Sequence, residues 1–198
     1  MQELLKQLQS QTPIEWLAVI TGLIYVILAA KEKNTCWIFG IISTATWGYA
    51  SYFNYDLYVD ALLQFFYTAI GFYGIYNWQF SNNGSGSYLP ISNLQGKHHL
   101  GIVGGGLGLS VIVGYSFSAY TQAASTYLDS ITTVFSVAAT FMTIHKKIDN
   151  WIYWVVIDII YVYLYFSRGA LLFGVLMIVY TIIALFGWIN WKRQLNVN

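Results

Sequence analysis

Seven apolar segments of about 17 to 22 residues follow one another along the chain, separated by short polar stretches. Each is close to the roughly 20 residues that an α-helix needs to cross 30 Å of hydrocarbon. Only 9% of the residues are charged, whereas soluble domains carry about 25%. The chain is therefore predicted to be an all-α integral membrane protein whose seven transmembrane helices cover residues 14–30, 36–53, 57–78, 100–117, 127–144, 150–167 and 170–191.

Several other classes of protein are disfavoured by the composition. The net charge of +1 leaves no basic footprint for nucleic acid, and the single Cys36 excludes an internal disulfide or a cysteine-based zinc site. The glycine run at 104–108 lacks the lysine and the preceding strand of a phosphate loop. Residues 1–12 lack a small-residue cleavage site, so no cleaved signal peptide is predicted. No metal, cofactor or enzymatic motif is predicted, and a membrane-embedded enzyme or a channel is kept only as a remote alternative.

The basic residues divide unevenly between the two sides of a seven-span arrangement. Cytoplasmic loops of membrane proteins carry an excess of lysine and arginine. The larger group is therefore placed inside, with the N-terminus outside and the C-terminus in the cytoplasm. The larger group is Lys31, Lys33, Lys97, Lys146, Lys147, Lys192 and Arg193; the smaller group is Lys6 and Arg168.

Residues separated by 113 positions match repeatedly, which indicates an internal repeat. The matches are Lys33 with Lys146, Tyr52 with Tyr165, Tyr67 with Tyr180, Thr68 with Thr181, Gly74 with Gly187, Asn77 with Asn190 and Trp78 with Trp191. They predict a three-plus-one-plus-three arrangement within a single transmembrane domain, 1–198, with parallel repeats at 14–78 and 127–191 and a linking helix at 100–117. Repeats of this kind place a substrate site near the midplane between them. A simpler alternative is that both stretches only share aromatic helix ends.

The segment at 150–167 is apolar and aromatic, and its one acid, Asp158, stands near the middle. At helical spacing Trp151, Trp154 and Tyr161 share a face with this acid, together with Tyr165. Such a face could stack a planar cation and neutralise its charge. The alternative is a structural acid that is protonated or bonded to a neighbouring helix.

Other polar side chains within the segments are further candidates for the site. Gln64 follows Asp60 by four residues and is in line with Tyr67, and it could bind a ligand amide or hold two helices together. Trp47 stands beside small hydroxyl residues on segment two. Ser136 and Thr140 on segment five could line a polar path or allow close helix packing.

Two asparagines stand near the predicted cytoplasmic helix ends, each followed by a tryptophan. Asn77 and Asn190 are candidates for gate residues, with the capping of helix ends as the alternative.

The chain resembles the PnuC family of bacterial vitamin transporters over nearly its whole length, with the 81–99 loop excepted. The matching pieces are LYVDALLQFFYTAIGFYGIYNW at 57–78, TYLDSITTVFS at 126–136 and NWIYWVVIDIIYVYLYFSRGALLFGVL at 150–176. The resemblance implies seven spans in a three-plus-one-plus-three form similar to the SWEET fold. It also implies a homotrimer and facilitated diffusion of nicotinamide riboside, which a cytoplasmic kinase then traps by phosphorylation.

The resemblance also implies roles for particular residues. The family's Trp-x-x-Trp motif falls on Trp151 and Trp154, its nearby polar position on Asp158, and its third-span glutamine on Gln64. Thr140 stands where riboside carriers of the family often have glutamine. Thiamine, carried by the related PnuT proteins, is therefore kept as an alternative substrate, since both vitamins are flat aromatic cations. Riboflavin is neutral and larger and fits less well.

Overall fold

The computed structural model describes residues 2–55, 58–80, 89–120 and 126–196, and these residues form eight α-helices. The helices are α1 (Gln2–Ser10), α2 (Pro13–Ala30), α3 (Cys36–Phe53), α4 (Tyr58–Phe80), α5 (Gly96–Tyr120), α6 (Thr126–Ile144), α7 (Asn150–Ser167) and α8 (Leu171–Leu195). Helices α2 to α8 correspond to the seven predicted segments. The predicted loop at 81–99 lies outside the described residues up to residue 88, and its last residues, from Gly96 onward, begin α5.

Five of the described helices, α2, α5, α6, α7 and α8, are long and apolar enough to cross a membrane. They confirm the prediction of an all-helical protein with several membrane spans. Helices α3 and α4 have suitable lengths of 18 and 23 residues but are less apolar. In α3 the reason is a series of small hydroxyl residues, among them Ser43, Thr44 and Ser51. The complete set of seven spans stays a prediction.

The short polar segment before α2, for which no structure was predicted, forms the helix α1. Its three leucines do not form a continuous apolar run, so a search for segments as long as a membrane span does not detect this helix. Thr12 then caps the N-terminus of α2 in a capping box with Glu15: the Glu15 amide donates to the Thr12 hydroxyl at 3.4 Å, and the Thr12 amide donates to the Glu15 carboxylate at 2.6 Å. Pro13 follows in the first turn of α2, where a backbone nitrogen has no hydrogen-bond partner within the helix, so the missing N–H of proline is tolerated.

One compact unit comprises α1 to α4 and the end of α8 from Ile189 onward. Within it α2 packs on α3, and α3 packs on α4. The indole of Trp37 is 2% exposed and lies directly against Gly74, where an added Cβ would come within 2.4 Å of the ring. Trp78 meets Trp37 edge to face at 5.6 Å, and Trp191 is 5.9 Å from Trp78. A glycine on α4 therefore permits the close packing of this aromatic cluster.

The second compact unit runs from Ile91 to Trp188. Within it α5 packs on α6, and α6 packs on α7. The segment before α5 is fastened to the α6–α7 turn, because the Ser92 amide donates to the Lys146 carbonyl at 3.1 Å and the Ser92 carbonyl accepts from Ile148 at 3.0 Å. The Asp149 carboxylate accepts a hydrogen bond from the Leu94 amide at 2.6 Å. These bonds fix the position at which α7 begins.

The turn between α2 and α3 has the same backbone hydrogen bonds as the turn between α6 and α7. Lys33 donates to the Leu28 carbonyl at 2.9 Å, and Lys147, 114 positions later, donates to the Met142 carbonyl at 2.8 Å. Glu32 and Lys146, also 114 positions apart, both have positive φ, at 56° and 47°. The turns thus pair Lys33 with Lys147, one position beyond the Lys146 that the sequence spacing of 113 predicts.

Candidate functional site

Asp158 lies in the middle of α7, an uninterrupted helix of 18 residues, and is 4% exposed. Among the residues that the structure describes, none donates a hydrogen bond to its carboxyl group and none forms an ion pair with it. The Tyr180 hydroxyl of α8 is close enough to interact with it electrostatically. A carboxyl group at this depth is costly unless a polar or charged partner compensates it, so the position is one where a cationic ligand would bind favourably.

The aromatic residues on the same face of α7 differ in their surroundings. Trp151 is 2% exposed and packs against Gly187, where an added Cβ would come within 2.7 Å of the indole. Tyr161 is half-buried and stacks on Tyr165 with ring centroids 5.8 Å apart. Trp154 is half-buried and lies one turn before Asp158. Trp154 is therefore the indole best placed to stack on a ligand beside the acid, while Trp151 holds two helices together.

Ser136 and Thr140 on α6 are both buried. The Thr140 hydroxyl donates to the Ser136 carbonyl at 2.8 Å, so its proton is used within the helix. Its oxygen lone pairs remain able to accept a hydrogen bond from a ligand. Helix α6 thus offers an acceptor at Thr140, where the resemblance implies that other family members have an amide.

Gln64, Tyr67 and Trp47 are all half-buried, on helices α4 and α3 of the first unit. The Gln64 amide nitrogen is 3.4 Å from an Asp60 carboxylate oxygen, and the Ser51 hydroxyl donates to the other oxygen of that carboxylate at 2.5 Å. The structure thus groups Gln64 with Asp60, which the sequence spacing predicts, and with Ser51 of α3, which the spacing does not predict.

Asn190, a candidate gate residue, caps another helix. Its amide donates to the Ala30 carbonyl at 2.8 Å, and the neighbouring Trp191 indole donates to the Ala29 carbonyl at 3.1 Å. These carbonyls belong to the last turn of α2, where backbone acceptors lack partners within the helix. The contact agrees with the capping alternative for Asn190. Asn77 is buried on α4.

Tyr180 is a candidate that the prediction of site residues omitted, although the sequence carried a signal for it. It matches Tyr67 at the repeat spacing of 113, and Tyr67 was included. At the spacing of 114 found in the turns, Asp158 corresponds to Thr44 and Tyr161 corresponds to Trp47. Thr44 and Trp47 on α3 therefore match Asp158 and Tyr161 on α7, and only α7 has an acid at the matching position.

Within the described ranges, no group of three or more histidine, cysteine or acidic residues is arranged to hold a metal ion. The candidate residues comprise an acid, a half-buried indole, tyrosines and small hydroxyl groups. Residues of these types are suited to binding an organic cation through charge and stacking.

A family model described as nicotinamide mononucleotide transporter matches residues 12–193. The chain belongs to this transporter family. The membership confirms the resemblance to PnuC proteins and identifies a transporter family rather than a family of enzymes. With its several apolar helices, it also supports a multi-pass protein of the bacterial inner membrane.

The chain is also similar over most of its length to curated relatives of known name. The nicotinamide riboside transporter PnuC of Escherichia coli K12 is 29% identical over 209 residues, covering 91% of this chain and 87% of the relative. The protein of the same name from Haemophilus influenzae is 26% identical over 194 residues, covering 92% and 82%. The crystal structure of the vitamin B3 transporter PnuC has a similar fold, with a TM-score of 0.74 and 23% identity over 93% of this chain and 82% of that chain.

Proposed function

We propose that this protein is an inner-membrane carrier that takes up nicotinamide riboside by facilitated diffusion. Its family membership and the printed names of its relatives support a vitamin transporter. The observation in this chain that carries the choice of ligand is Asp158, a buried acid to which none of the described residues donates a hydrogen bond. Nicotinamide riboside has a flat, permanently cationic ring that would compensate this carboxylate while stacking on Trp154.

The charges of the helices favour the riboside over the phosphorylated mononucleotide. The sequence has no lysine or arginine at 34–96, 98–145, 148–167 or 169–191. A phosphate group moved through these helices would therefore lose its hydration without meeting a cationic side chain, which is strongly unfavourable. The riboside, with one positive charge and no phosphate, suits the lone carboxyl group of Asp158.

Thiamine is a second candidate because of one residue. Thr140 is smaller than the glutamine that the resemblance implies for riboside carriers, and its hydroxyl proton is already bonded to the Ser136 carbonyl. The acid and the indole suit thiamine as well, since its thiazolium ring is also a flat cation. The two ligands are therefore compared in the same assay below.

The proposed carrier consists of two three-helix repeats, 14–78 and 127–191, joined by a linking helix. The matching turns at Glu32 and Lys146 support this repeat, as do the two glycines, Gly74 and Gly187, that each receive a buried tryptophan. Alternating access is proposed to occur by rocking of one repeat against the other. No coupling ion is proposed, because Asp158 is the one acid near the middle of a span.

The orientation and assembly follow the sequence-based expectations. The N-terminus is proposed to lie outside, because the lysines of both matching turns then face the cytoplasm. A homotrimer within membrane lipid, with one path in each protomer, is proposed from the family resemblance. A cytoplasmic kinase that phosphorylates the vitamin would make uptake directional, because the phosphorylated product does not return through the carrier.

Uptake by purified protein in liposomes tests the proposed function. Labelled nicotinamide riboside is expected to enter vesicles that contain unlabelled riboside, without an ion gradient. Unlabelled riboside should compete, whereas nicotinamide mononucleotide should not. Stronger competition by thiamine would replace the riboside with the alternative substrate. Absence of exchange with either vitamin, in protein that elutes as a single species, would contradict the proposal.

Replacing Trp154 with alanine is expected to weaken riboside binding by about 1–2 kcal/mol, which corresponds to roughly 5- to 30-fold. The reason is the loss of the indole face beside Asp158. Titration calorimetry on purified protein measures the effect. Trp16→Ala, a change at a partly exposed residue in the first turn of α2, is the matched control and should bind normally. Equal losses in both variants would mean that Trp154 does not contact the ligand.

A further inference from the structure

Helix α1 has one apolar face, which consists of leucines. At about 100° of rotation per residue, Leu4, Leu5 and Leu8 fall within about a third of the helix circumference, and the polar and charged residues of α1 occupy the remainder. None of the residues Gln2–Ser10 is buried, and Leu5 is 51% exposed. The part of the chain that the structure describes therefore does not bury this leucine face.

The length and polarity of α1 restrict where it can lie. Its nine residues span about 14 Å, which is less than half of the roughly 30 Å of hydrocarbon that a spanning helix crosses. Three neighbouring leucines are nonetheless unfavourable in water. A helix with a compact apolar face and a strongly polar opposite face is suited to the plane of a membrane surface, with its apolar side in the boundary between headgroups and acyl chains.

The start of α2 places α1 close to such a surface. Helix α2 is long and apolar enough to cross a membrane, and it begins at Pro13, three residues after α1 ends. Three steps of extended chain cover at most about 11 Å. Trp16 in the first turn of α2, Tyr52 near the end of α3 and Tyr55 just after it are exposed. Tryptophan and tyrosine are enriched where a membrane meets water, so α1 ends near the level of this aromatic belt.

Hydrogen bonds join the end of α1 to the start of α2 and to the connection after α3. The Gln11 amide donates to the Gln7 carbonyl at 3.2 Å. The next residue, Thr12, donates to the fully buried Glu15 carboxylate through its amide at 2.6 Å and through its hydroxyl at 2.9 Å. The same carboxylate accepts a hydrogen bond from the Tyr55 hydroxyl. The position of α1 is therefore linked to the positions at which α2 begins and α3 ends.

We propose that α1 is an interfacial anchor whose leucine face binds the membrane surface at which α2 begins. The partner is the phospholipid boundary itself, and the binding energy comes from burial of the three leucines. Glu3 and Lys6 give α1 no net charge, so the anchor does not require anionic lipid. By holding the first turn of α2 at the surface, α1 sets the depth at which this helix enters the membrane. The anchor is independent of the substrate.

Fluorescent labels on the full-length protein test the contact. A label attached to Leu5→Cys lies on the leucine face, and one attached to Glu3→Cys lies on the opposite side of α1; the unsubstituted protein, whose Cys36 is buried, is the blank. In phosphatidylcholine liposomes, spin-labelled lipid is expected to quench the label at position 5 about threefold more than the label at position 3, and aqueous iodide should show the reverse order.

Two results would overturn the anchor. Equal quenching by lipid at positions 3 and 5 would show that the leucine face is not in the membrane surface. Shielding of the label at position 5 from both quenchers would show that protein covers the face, either a second copy or another part of this chain.

Proteolysis provides a measurement without labels. Trypsin is expected to cleave after Lys6 about tenfold faster in Leu8→Gln than in wild-type protein in the same liposomes, because the helix leaves the surface. Leucine and glutamine have similar helix propensities, so the change affects the face rather than the helix. Gln9→Ala, on the polar side, is the control and should be cleaved at the wild-type rate. Equal rates in Leu8→Gln and wild type would contradict the anchor. Neither measurement needs a ligand, so each remains decisive if the protein binds neither vitamin.

Discussion

Replacing Asp158 with asparagine is expected to weaken binding of nicotinamide riboside by about 2–5 kcal/mol, or at least roughly thirtyfold. The replacement keeps the size of the side chain and removes its negative charge. In the wild-type protein Asp158 is 4% exposed, and no described residue forms an ion pair with its carboxyl group. The ring of the vitamin would therefore be its principal countercharge, and a neutral amide cannot replace that interaction. Calorimetry and liposome exchange both measure the loss.

The stability of the same variant distinguishes a binding acid from a structural acid. If Asp158 serves the ligand, Asp158→Asn should unfold at the same or a higher temperature than wild type in the absence of ligand, because a buried acid that costs stability has been replaced by a neutral amide of similar size. Asp129→Asn, which breaks the exposed pair with Arg168, is the matched control and should bind normally. Wild-type affinity in Asp158→Asn combined with a lower unfolding temperature would identify a structural acid instead.

Adding a methyl group at Gly74 or Gly187 is expected to destabilise the protein by about 1–3 kcal/mol, although alanine favours a helix more than glycine does. At Gly74 the new Cβ would lie 2.4–2.5 Å from three atoms of the Trp37 indole, and at Gly187 it would lie 2.7–2.8 Å from three atoms of Trp151. Both indoles are buried, and neither ring can move aside without displacing its neighbours. Thermal unfolding in detergent, followed by tryptophan fluorescence, measures the loss.

Gly101 in α5 provides a control for this effect. No atom lies within 4 Å of a Cβ built there, so Gly101→Ala should be neutral or stabilising through its helix preference. A stability loss at Gly101 equal to that at Gly187 would show that the helix backbone, and not the contact with tryptophan, determines the result.

Local sequence was sufficient to predict the helices because each apolar segment is about as long as a membrane is thick. The bounds of α7 agree with the prediction to the residue, since the apolar run begins after Asp149 and ends before Arg168. Helix α1 was missed because its apolar residues are few and separated by glutamines and a lysine. The one-residue shift of the repeat in the α6–α7 turn was also missed, since hydrogen bonds and not residue identity define it.

The site was less predictable because helical spacing identifies a face of a helix but not the partner of each residue on it. The sequence places Asp158 near the middle of an apolar segment, and in the structure it is buried within α7. The packing of Trp151 depends on Gly187, and the cap made by Asn190 depends on Ala30, 160 positions earlier in the chain. Contacts at such separations require the tertiary arrangement, which the sequence pattern alone does not provide.

The matching turns at Glu32 and Lys146 have an evolutionary consequence. Both residues adopt a left-handed backbone conformation without being glycine, and one is acidic while the other is basic. Because backbone hydrogen bonds maintain the shape, the side chain at this position could change its charge during descent from a common ancestor without altering the turn. If the proposed repeat arose by duplication, corresponding helix positions could diverge in the same way, as Thr44 in one copy and Asp158 in the other illustrate.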